Sequence, residues 1–432
     1  MDSGNAAWML VSASLVLLMT PGLAFFYGGM VRGKSVLNMM MMSFAAMGVV
    51  GIIWVLWGYA MVAGDNVAGG LFGWSSDYLG LSGIMNGEDP LTDLITVGFQ
   101  VTFAIITVAL ISGAIAERVK FSAWLVFAAI WVTFVYFPLA HMVWFGGLLF
   151  GEEWFLGGSL PAPIDFAGGT VVHINAGVAA LAVVLLIGKR KGFGKEPMKP
   201  HNLPFVMLGA ALLWFGWFGF NAGSAFGANE TAALAWLNTT VCTGAALLGW
   251  LVVEKIRDGH ATSLGAASGI VAGLVAITPA AAAVNPVGAI ILGVVAGALC
   301  ALAVGLKYRF GYDDSLDVVG VHLVGGLVGT VAIGFLATEG GLFFGGGADQ
   351  LVAQVVAAAF AIVFSLVLTF VIAALVKVTI GWRVPEDVEV AGIDLAEHGE
   401  TAYETLGGTR TRQAETPVAA ARGTDSTTEV KA

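Results

Sequence analysis

Hydrophobic residues in this chain form long, nearly uninterrupted stretches that are separated by short polar segments. A helix needs about 20 mostly apolar residues to cross a bilayer core about 30 Å thick, and eleven stretches reach that length. They predict an all-α integral membrane protein with eleven transmembrane helices, of which the last is long. The predicted spans are 6–31, 36–63, 93–116, 121–150, 167–188, 203–226, 231–253, 262–280, 284–306, 318–338 and 350–381.

The positive charges support this number of spans because they lie at alternate ends of them. Lysines and arginines follow the odd-numbered spans, whereas the intervening loops contain acids and no cations. Cytoplasmic loops carry the excess of Lys and Arg, so the N-terminus is predicted outside and the C-terminus in the cytoplasm. The cations of the odd loops are Arg32, Lys34, Arg118, Lys120, Lys189, Arg190, Lys191, Lys195, Lys199, Lys255, Arg257, Lys307 and Arg309.

The pattern divides the chain into a transmembrane domain, residues 1–382, and a cytoplasmic tail, residues 383–432. The first apolar stretch lacks the basic start of a signal peptide and continues to Arg32, which indicates a true span. From about Gly407 onward the tail is rich in Thr, Ala, Arg and Glu. Such a composition predicts disorder at that end.

Composition narrows the protein class further. Hydrophobic residues make up 58% of the chain and charged residues 11%, against about 45–50% and about 25% in soluble domains. The net charge of −10 leaves no basic surface for nucleic acid. Cys242 and Cys300 lie singly in apolar stretches, which predicts buried packing residues and not a disulfide or metal site.

Two spans share one Asp-to-His spacing, which predicts an inverted repeat of five plus five spans before the last one. Asp165 precedes His173 by eight residues, and Asp314 precedes His322 by eight. The second set of five begins in the cytoplasm and is therefore inverted. Inverted repeats place the substrate path at their interface near the membrane midplane.

Helix geometry brings the two histidines to a similar depth. A rise of about 1.5 Å per residue puts each imidazole about 12 Å from its aspartate, so the pair differs in depth by about 6 Å in a core about 30 Å thick. Ionisable groups there are functional by default, which favours a pore-lining pair over two separate histidines that each bond a backbone carbonyl. No metal site is predicted, because the other histidines fall outside mid-membrane: His141, His201, His260 and His398.

The middle third of each predicted span contains no Lys, Arg, Asp or Glu. Ion coupling through intramembrane carboxylates is therefore not expected. An interior of aromatic rings, glycine and neutral imidazoles favours small, nearly neutral species and excludes bare ions, because burying an unpaired charge is costly.

Seven short segments spread over the spans are similar to motifs of a known family. They are FFYGGMVRGKSVLN (25–38), FQVTF (99–103) leading to GAIAER (113–118), AHMVW (140–144), DFAGGTVVHINAG (165–177), WFGFNAGSA (217–225) and DDSLDVVGVHLVGG (313–326). Over residues 8–406 the chain resembles the ammonium transporter (Amt/Mep/Rh) family, on its bacterial and archaeal side. The resemblance implies a homotrimer in the cytoplasmic membrane, with one narrow hydrophobic pore through each subunit and no cofactor.

The resemblance also implies an outer recruitment site and a gate. Trp144, Phe103 and Ser224, with Phe99 beside them, look like the site where aromatic faces attract ammonium by cation–π interaction and a hydroxyl accepts its hydrogen bond. Phe103 and Phe220 look like a stacked gate below that site. Apart from the motifs, the tryptophan could equally be an interfacial belt residue, and the phenylalanines could be packing residues.

Below the gate, His173 and His322 look like the family's twin-histidine dyad, with Trp217 lining the pore beside it. We expect Asp165 to accept backbone N–H bonds at the start of its helix and to add negative potential at the outer mouth. Asp314 is expected by symmetry to cap the tenth span, with a solvated loop acid as the alternative.

The expected mechanism is that ammonium sheds water and a proton at the outer site, ammonia crosses beside the imidazoles, and the proton follows through the dyad. Potassium has no proton to lose, so desolvation excludes it. Methylammonium is a candidate second substrate. The alternatives are a neutral ammonia or gas channel of the Rh type, an ammonium sensor, and a membrane enzyme, which is disfavoured because no nucleophile lies near either histidine.

The tail contains GIDLAEHGETAYE (392–404). This segment is similar to the cytoplasmic segment by which trimers of the family couple their subunits and meet PII-type signal proteins. The resemblance therefore implies a regulatory tail up to about residue 406 and a PII-type partner.

Overall fold

The structure, a computed structural model, describes residues 1–152 and 154–403. Eleven helices in these ranges are long and apolar enough to cross a membrane, at the positions that the hydrophobic pattern predicts. The predicted all-α fold is confirmed. The spans are Ser3–Met30, Val36–Ala63, Pro90–Ile115, Phe121–Trp144, Gly169–Ile187, Leu203–Gly223, Glu230–Asp258, Ser263–Ala280, Pro286–Phe310, Val319–Leu336 and Asp349–Thr379.

The fourth span is shorter than its apolar pattern predicts. The prediction ran to residue 150, but the helix ends at Trp144, and the next residue, Phe145, has left the helical region with φ −123° and ψ 34°. Gly146 then adopts φ +85°, a conformation that favours glycine. Residues 145–150 form a loop at the predicted outer end, in which Leu149 is fully buried and Phe150 is exposed.

Short elements cover the predicted outer ends of the second and fourth spans. Two antiparallel strands, β1 (Asp65–Val67) and β2 (Phe72–Trp74), form a hairpin. The imidazole of His141 joins the hairpin to the spans, with Nδ1 2.7 Å from the carbonyl O of Val62 and Nε2 2.7 Å from Asn66 Oδ1. The other short helices are Ser76–Leu81, Ser82–Met85, Leu342–Phe344, Glu386–Ala391 and Asp394–His398.

The first and sixth spans, which open the two predicted repeats, pack along each other. Their backbones approach closely because a glycine lies at the crossing: a methyl group on Gly209 would lie 2.3 Å from the backbone N of Phe26. Such contacts are typical of helix pairs in membranes. Cys242 and Cys300 are both fully buried in apolar surroundings, as predicted.

The predicted cytoplasmic ends of the spans are joined by a buried network of charges. Arg190 binds Glu117 through Nη1 at 2.7 Å and Asp313 through Nη2 at 2.8 Å, and Arg32 binds the same glutamate at 2.9 Å. Burial alone would raise the pKa of Glu117, but the two arginines hold it below its ordinary value. The loops after the first, third, fifth and ninth spans are thereby held together.

The first part of the predicted tail packs on these ends. The backbone N of Lys120 donates to the carbonyl O of Trp382 at 2.8 Å, and the N of Val384 donates to the carbonyl O of Arg118 at 3.1 Å. The carboxylate of Asp394 accepts hydrogen bonds from the backbone N of Leu37 and Asn38 at 3.0 and 2.8 Å, and so caps the second span. The predicted disorder from about residue 407 lies outside the described residues.

Candidate functional site

The two histidines meet at the crossing of the fifth and tenth spans. Nδ1 of His173 and Nδ1 of His322 are 3.2 Å apart, and both side chains are buried. A methyl group on Gly177 would lie 2.5 Å from the backbone N of Leu323. The glycine therefore permits the close crossing that brings the rings together.

Each histidine lies in a π-helical turn at the start of its span, Gly169–Ile174 and Val319–Leu323. The sequence arithmetic assumed regular α-helix from aspartate to histidine and therefore did not predict these turns. Such turns occur frequently at functional sites. Here they face one another at the interface of the two predicted repeats.

The distance between the Nδ1 atoms constrains the protonation of the pair. Only one of the two nitrogens can carry the shared hydrogen, so in a neutral pair one ring keeps Nε2 as an acceptor and the other keeps Nε2–H as a donor. Nε2 of His173 has no hydrogen-bond partner among the described residues. The pair can therefore offer one acceptor and one donor to a small molecule beside it.

Aromatic rings enclose the histidine pair on one side. Trp217 is stacked on His173 with ring centroids 5.4 Å apart, and Nε1 of this tryptophan donates to Oγ1 of Thr278 at 2.8 Å. The enclosed space beside the pair is about 10 Å³ and is lined mainly by apolar side chains such as Leu213 and Val271. This volume is close to the minimum that one water molecule needs.

A ring stack separates this space from the predicted outer side. Phe103 and Phe220 are stacked with centroids 4.2 Å apart, and Phe220 lies 6.1 Å from the His173 ring. Trp144 stands at right angles to Phe103 with a centroid distance of 5.9 Å. The rings thus form a continuous series from the outer side to the histidines.

Above the stack lies an outer cavity of about 260 Å³. Nε1 of Trp144 donates to the carbonyl O of Asp165 at 2.9 Å, and Oγ of Ser224 donates to the carbonyl O of Phe220 at 2.8 Å. The serine oxygen therefore keeps its acceptor capacity for a ligand. The side chains that line the cavity are Thr96, Gln100, Phe103, Trp144, Phe145, Phe166, Ser224 and Phe226.

The two predicted capping aspartates both bind the starts of the histidine-bearing spans. The carboxylate of Asp165 accepts hydrogen bonds from the backbone N of Gly168, Gly169, Thr170 and Val171 at 2.6–3.1 Å. Burial nevertheless raises the pKa of Asp165 above its ordinary value, against the opposing effect of these bonds.

On the other side, Asp314 accepts from the backbone N of Val318 and Val319 at 3.0 and 2.7 Å. It is buried and is not a solvated loop acid. A second cavity, of about 400 Å³ and lined in part by Lys307 and Asp317, lies at this predicted cytoplasmic end.

The sequence model of the Ammonium Transporter Family matches residues 7–403. The chain belongs to this family. An ammonium transporter of Mycobacterium tuberculosis (strain H37Rv) is 56% identical over 93% of this chain and 91% of its own length. Ammonium transporter Amt1 of Archaeoglobus fulgidus is 44% identical over 93% of this chain and 100% of its own length.

Solved ammonium transporter structures share the fold. Mep2 of Saccharomyces cerevisiae superposes with a TM-score of 0.81 at 31% identity, over 90% of this chain and 88% of that one. A protein described as "Sensor Amt Protein" gives a TM-score of 0.83 at 28% identity, over 91% and 98%. Family membership supports ammonium transport by a multi-pass protein of the cell membrane. The relatives are named as transporters, which points away from an enzyme.

Within this ammonium transporter, Phe99 does not line the outer cavity. Its ring is buried behind Phe103, with centroids 4.8 Å apart, and lies 5.4 Å from the Phe226 ring. The resemblance implies a recruitment role for Phe99, but the helix turns the next residue, Gln100, to the cavity. Sequence reasoning missed Gln100 and Phe226, although both lie within two residues of predicted site residues.

Proposed function

We propose that this ammonium transporter binds ammonium in the outer cavity, where ammonium gives up a proton that passes on to the His173–His322 pair, and conducts ammonia past the two rings. The order of the elements supports the proposal, because the acceptor oxygen of Ser224 and the Trp144 ring lie on one side of the Phe103–Phe220 stack, and the histidines lie on the other. A cation is attracted to the first environment. The second favours a neutral molecule.

Dehydration supplies the selectivity in this proposal. The space beside the histidines is about 10 Å³, too small for an ion with a hydration shell, and burying an uncompensated charge in apolar surroundings is costly. Ammonium avoids that cost by releasing a proton. Potassium cannot, so it should be excluded.

The observation that carries the proposal is the 3.2 Å contact between Nδ1 of His173 and Nδ1 of His322. A shared hydrogen can move between the two rings, and Nε2 of each ring can then release or take up a proton. We propose that the released proton follows ammonia along this pair. Net charge would then cross with each substrate.

The test is the current across reconstituted membranes when ammonium is added, with potassium as the control ion. We expect a saturable ammonium current and no potassium current in the wild type. His173→Ala and His322→Ala should each lose the selectivity, so that potassium is conducted. His260→Ala, which changes an exposed loop histidine, is the matched control and should behave as the wild type.

Two other results would change the proposal. If ammonium alkalinises the vesicle interior without any current, the protein is a neutral ammonia channel and the proton does not follow. If neither current nor alkalinisation occurs while ammonium still binds, a sensor is favoured, and a solved neighbour carries that description.

We further propose a homotrimer whose tail, up to about residue 406, meets a PII-type signal protein. The packing of Asp394 on the second span supports a tail that can report on the spans. The mass of the purified assembly tests the trimer. Failure of the assembly to bind any host PII protein, across nucleotide and 2-oxoglutarate conditions, would count against this partner.

A further inference from the structure

Gln100 is a buried polar side chain at the outer cavity that has no hydrogen-bond partner among the described residues. Its exposed fraction is 8%, and it lines the cavity with Phe103, Trp144 and Ser224. The Gln100 amide makes no hydrogen bond to residues 1–152 or 154–403. Its oxygen and nitrogen are also not among the fully enclosed side-chain atoms that lack a partner. The amide therefore borders the cavity space.

The other polar side chains around the cavity have already used their hydrogens. Oγ1 of Thr96 donates to the carbonyl O of Thr92 at 2.9 Å, and Oγ of Ser224 donates to the carbonyl O of Phe220 at 2.8 Å. Nε1 of Trp144 donates to the carbonyl O of Asp165. These groups can accept a hydrogen bond or present a ring, but they have no hydrogen left to donate.

The two other glutamines among the described residues, Gln350 and Gln354, are paired. Nε2 of Gln350 donates to the carbonyl O of Ala162 at 3.1 Å, and Oε1 of Gln354 accepts from the backbone N of Ile164 at 2.6 Å. Buried polar groups without partners are rare and destabilising. An unpaired amide at a cavity therefore indicates that the partner is a molecule in the cavity.

We propose that Gln100 is a substrate-binding residue whose Oε1 accepts a hydrogen bond from ammonium and whose Nε2–H donates to the lone pair of ammonia after the proton has left. An amide has both an acceptor and donors, whereas the Ser224 hydroxyl can only accept while it donates to Phe220. Gln100 is thus suited to hold both protonation states. The inference rests on the proposed function, since it assigns a further contact at the same outer cavity.

Gln100 also lies at the correct position in its helix for this role. It precedes Phe103 by three residues, and residues three apart lie on the same face of a helix. A molecule in the outer cavity that contacts the Phe103 and Trp144 rings therefore lies in the same cavity as the amide. The side chain would complement the rings, which attract positive charge but cannot donate to ammonia.

The test compares the full chain with Gln100→Met and Gln100→Glu in reconstituted membranes, with the concentration dependence of the ammonium current as the readout. Gln100→Met keeps the length and removes the hydrogen bonds, so we expect the apparent KM for ammonium to rise about tenfold, the effect of one hydrogen bond to a charged group. Thermal stability should not fall, because no bond within the protein is lost.

Gln100→Glu separates the two halves of the proposal. An ionised carboxylate accepts but does not donate, so ammonium should bind more tightly while the maximum current falls, since ammonia loses its donor. Potassium should then compete with ammonium at the cavity. A KM and a maximum current that both fall would not arise from a purely structural role.

Gln350→Met is the matched control, since it removes a buried glutamine that is bonded within the protein. It should lower thermal stability and leave KM unchanged. A normal KM in Gln100→Met, with saturable current in the wild type, would overturn the inference while the proposed function stands. A fall in stability of Gln100→Met without a change in KM would also overturn it, and absence of ammonium flux in the wild type would contradict the proposed function itself.

Discussion

The fifth and tenth spans carry the same arrangement of aspartate and histidine in opposite directions, yet the two aspartates have different surroundings. Asp165 accepts four backbone hydrogen bonds and forms no ion pair with a described cation. Asp314 accepts two, and its backbone O accepts from Nζ of Lys307 at 2.9 Å. The same lysine binds Asp317 at 2.6 Å.

The difference suggests how one motif serves the two ends of a path. At the outer end the carboxylate of Asp165 is held by neutral N–H groups, so its negative charge adds to the potential that attracts a cation. At the other end Lys307 offsets the charge of Asp314 and Asp317. In the proposed function, this difference suits the outer end to recruiting ammonium and the inner end to releasing ammonia.

Asp165→Ala should give the largest effect that distinguishes the two ends. It leaves several N–H groups of the π-helical turn without an acceptor, and each hydrogen bond to a charged group contributes about 1.5–3 kcal/mol. We expect the free energy of unfolding to fall by about 3 kcal/mol or more, together with a more than tenfold loss of ammonium current, because His173 loses its fixed position.

Asp314→Ala is the comparison for this prediction, because it removes two such bonds. Its loss of stability, measured by unfolding in the same detergent, should be clearly smaller. Equal losses would show that the number of backbone bonds does not set the difference between the ends.

The pH dependence of stability should sharpen the comparison at the inner end. Burial raises the pKa of Asp314 from 3.8 to about 6, although the charge of Lys307 opposes the shift. Between about pH 4 and pH 6 the folded state therefore holds a proton that the unfolded state has released. This contribution to stability falls by about 3 kcal/mol in total as the pH rises through the window. Above the window it is constant.

Asp314→Asn should remove this contribution. Its free energy of unfolding relative to the wild type is expected to increase as the pH rises from 4 to 6, and to change little between 6 and 7. Asp65→Asn, at an exposed acid of the outer hairpin, is the control and should not show this increase. A constant difference between Asp314→Asn and wild type across the window would contradict the prediction.

Much of this fold could be predicted from the sequence, because long apolar stretches have few structural solutions. The spacing between aspartate and histidine was also informative, since a repeated functional arrangement requires the same residues in both halves. The end of the fourth span could not be read from hydropathy. Residues 145–150 are as apolar as a span, and only the backbone conformation at Gly146 shows that they form a loop.

The details of the outer cavity depend on side-chain direction, which the motifs do not encode. Phe99 and Gln100 are neighbours in FQVTF, but one packs behind Phe103 and the other borders the cavity. Phe226 has φ +53°, an unusual value for a bulky residue, and this conformation could not be expected from sequence. The buried network around Arg190 was likewise hidden within loops that are rich in cations.

The smallest expected effect concerns the two histidines, which are alike in their contact but not in their neighbours. Among the described rings, His173 stacks on Trp217 and lies near Phe220, whereas His322 is paired with His173 alone. His173→Ala and His322→Ala remove the same Nδ1 contact, so that loss cancels when the two are compared. His173→Ala should then be less stable by about 1 kcal/mol, the contribution of an aromatic pair beyond its buried area.

Unfolding of both variants and of the double variant measures this difference together with the coupling between the rings. If His322→Ala is the less stable of the two, the stack on Trp217 does not stabilise the pair, and the asymmetry between the two repeats ends at their aspartates.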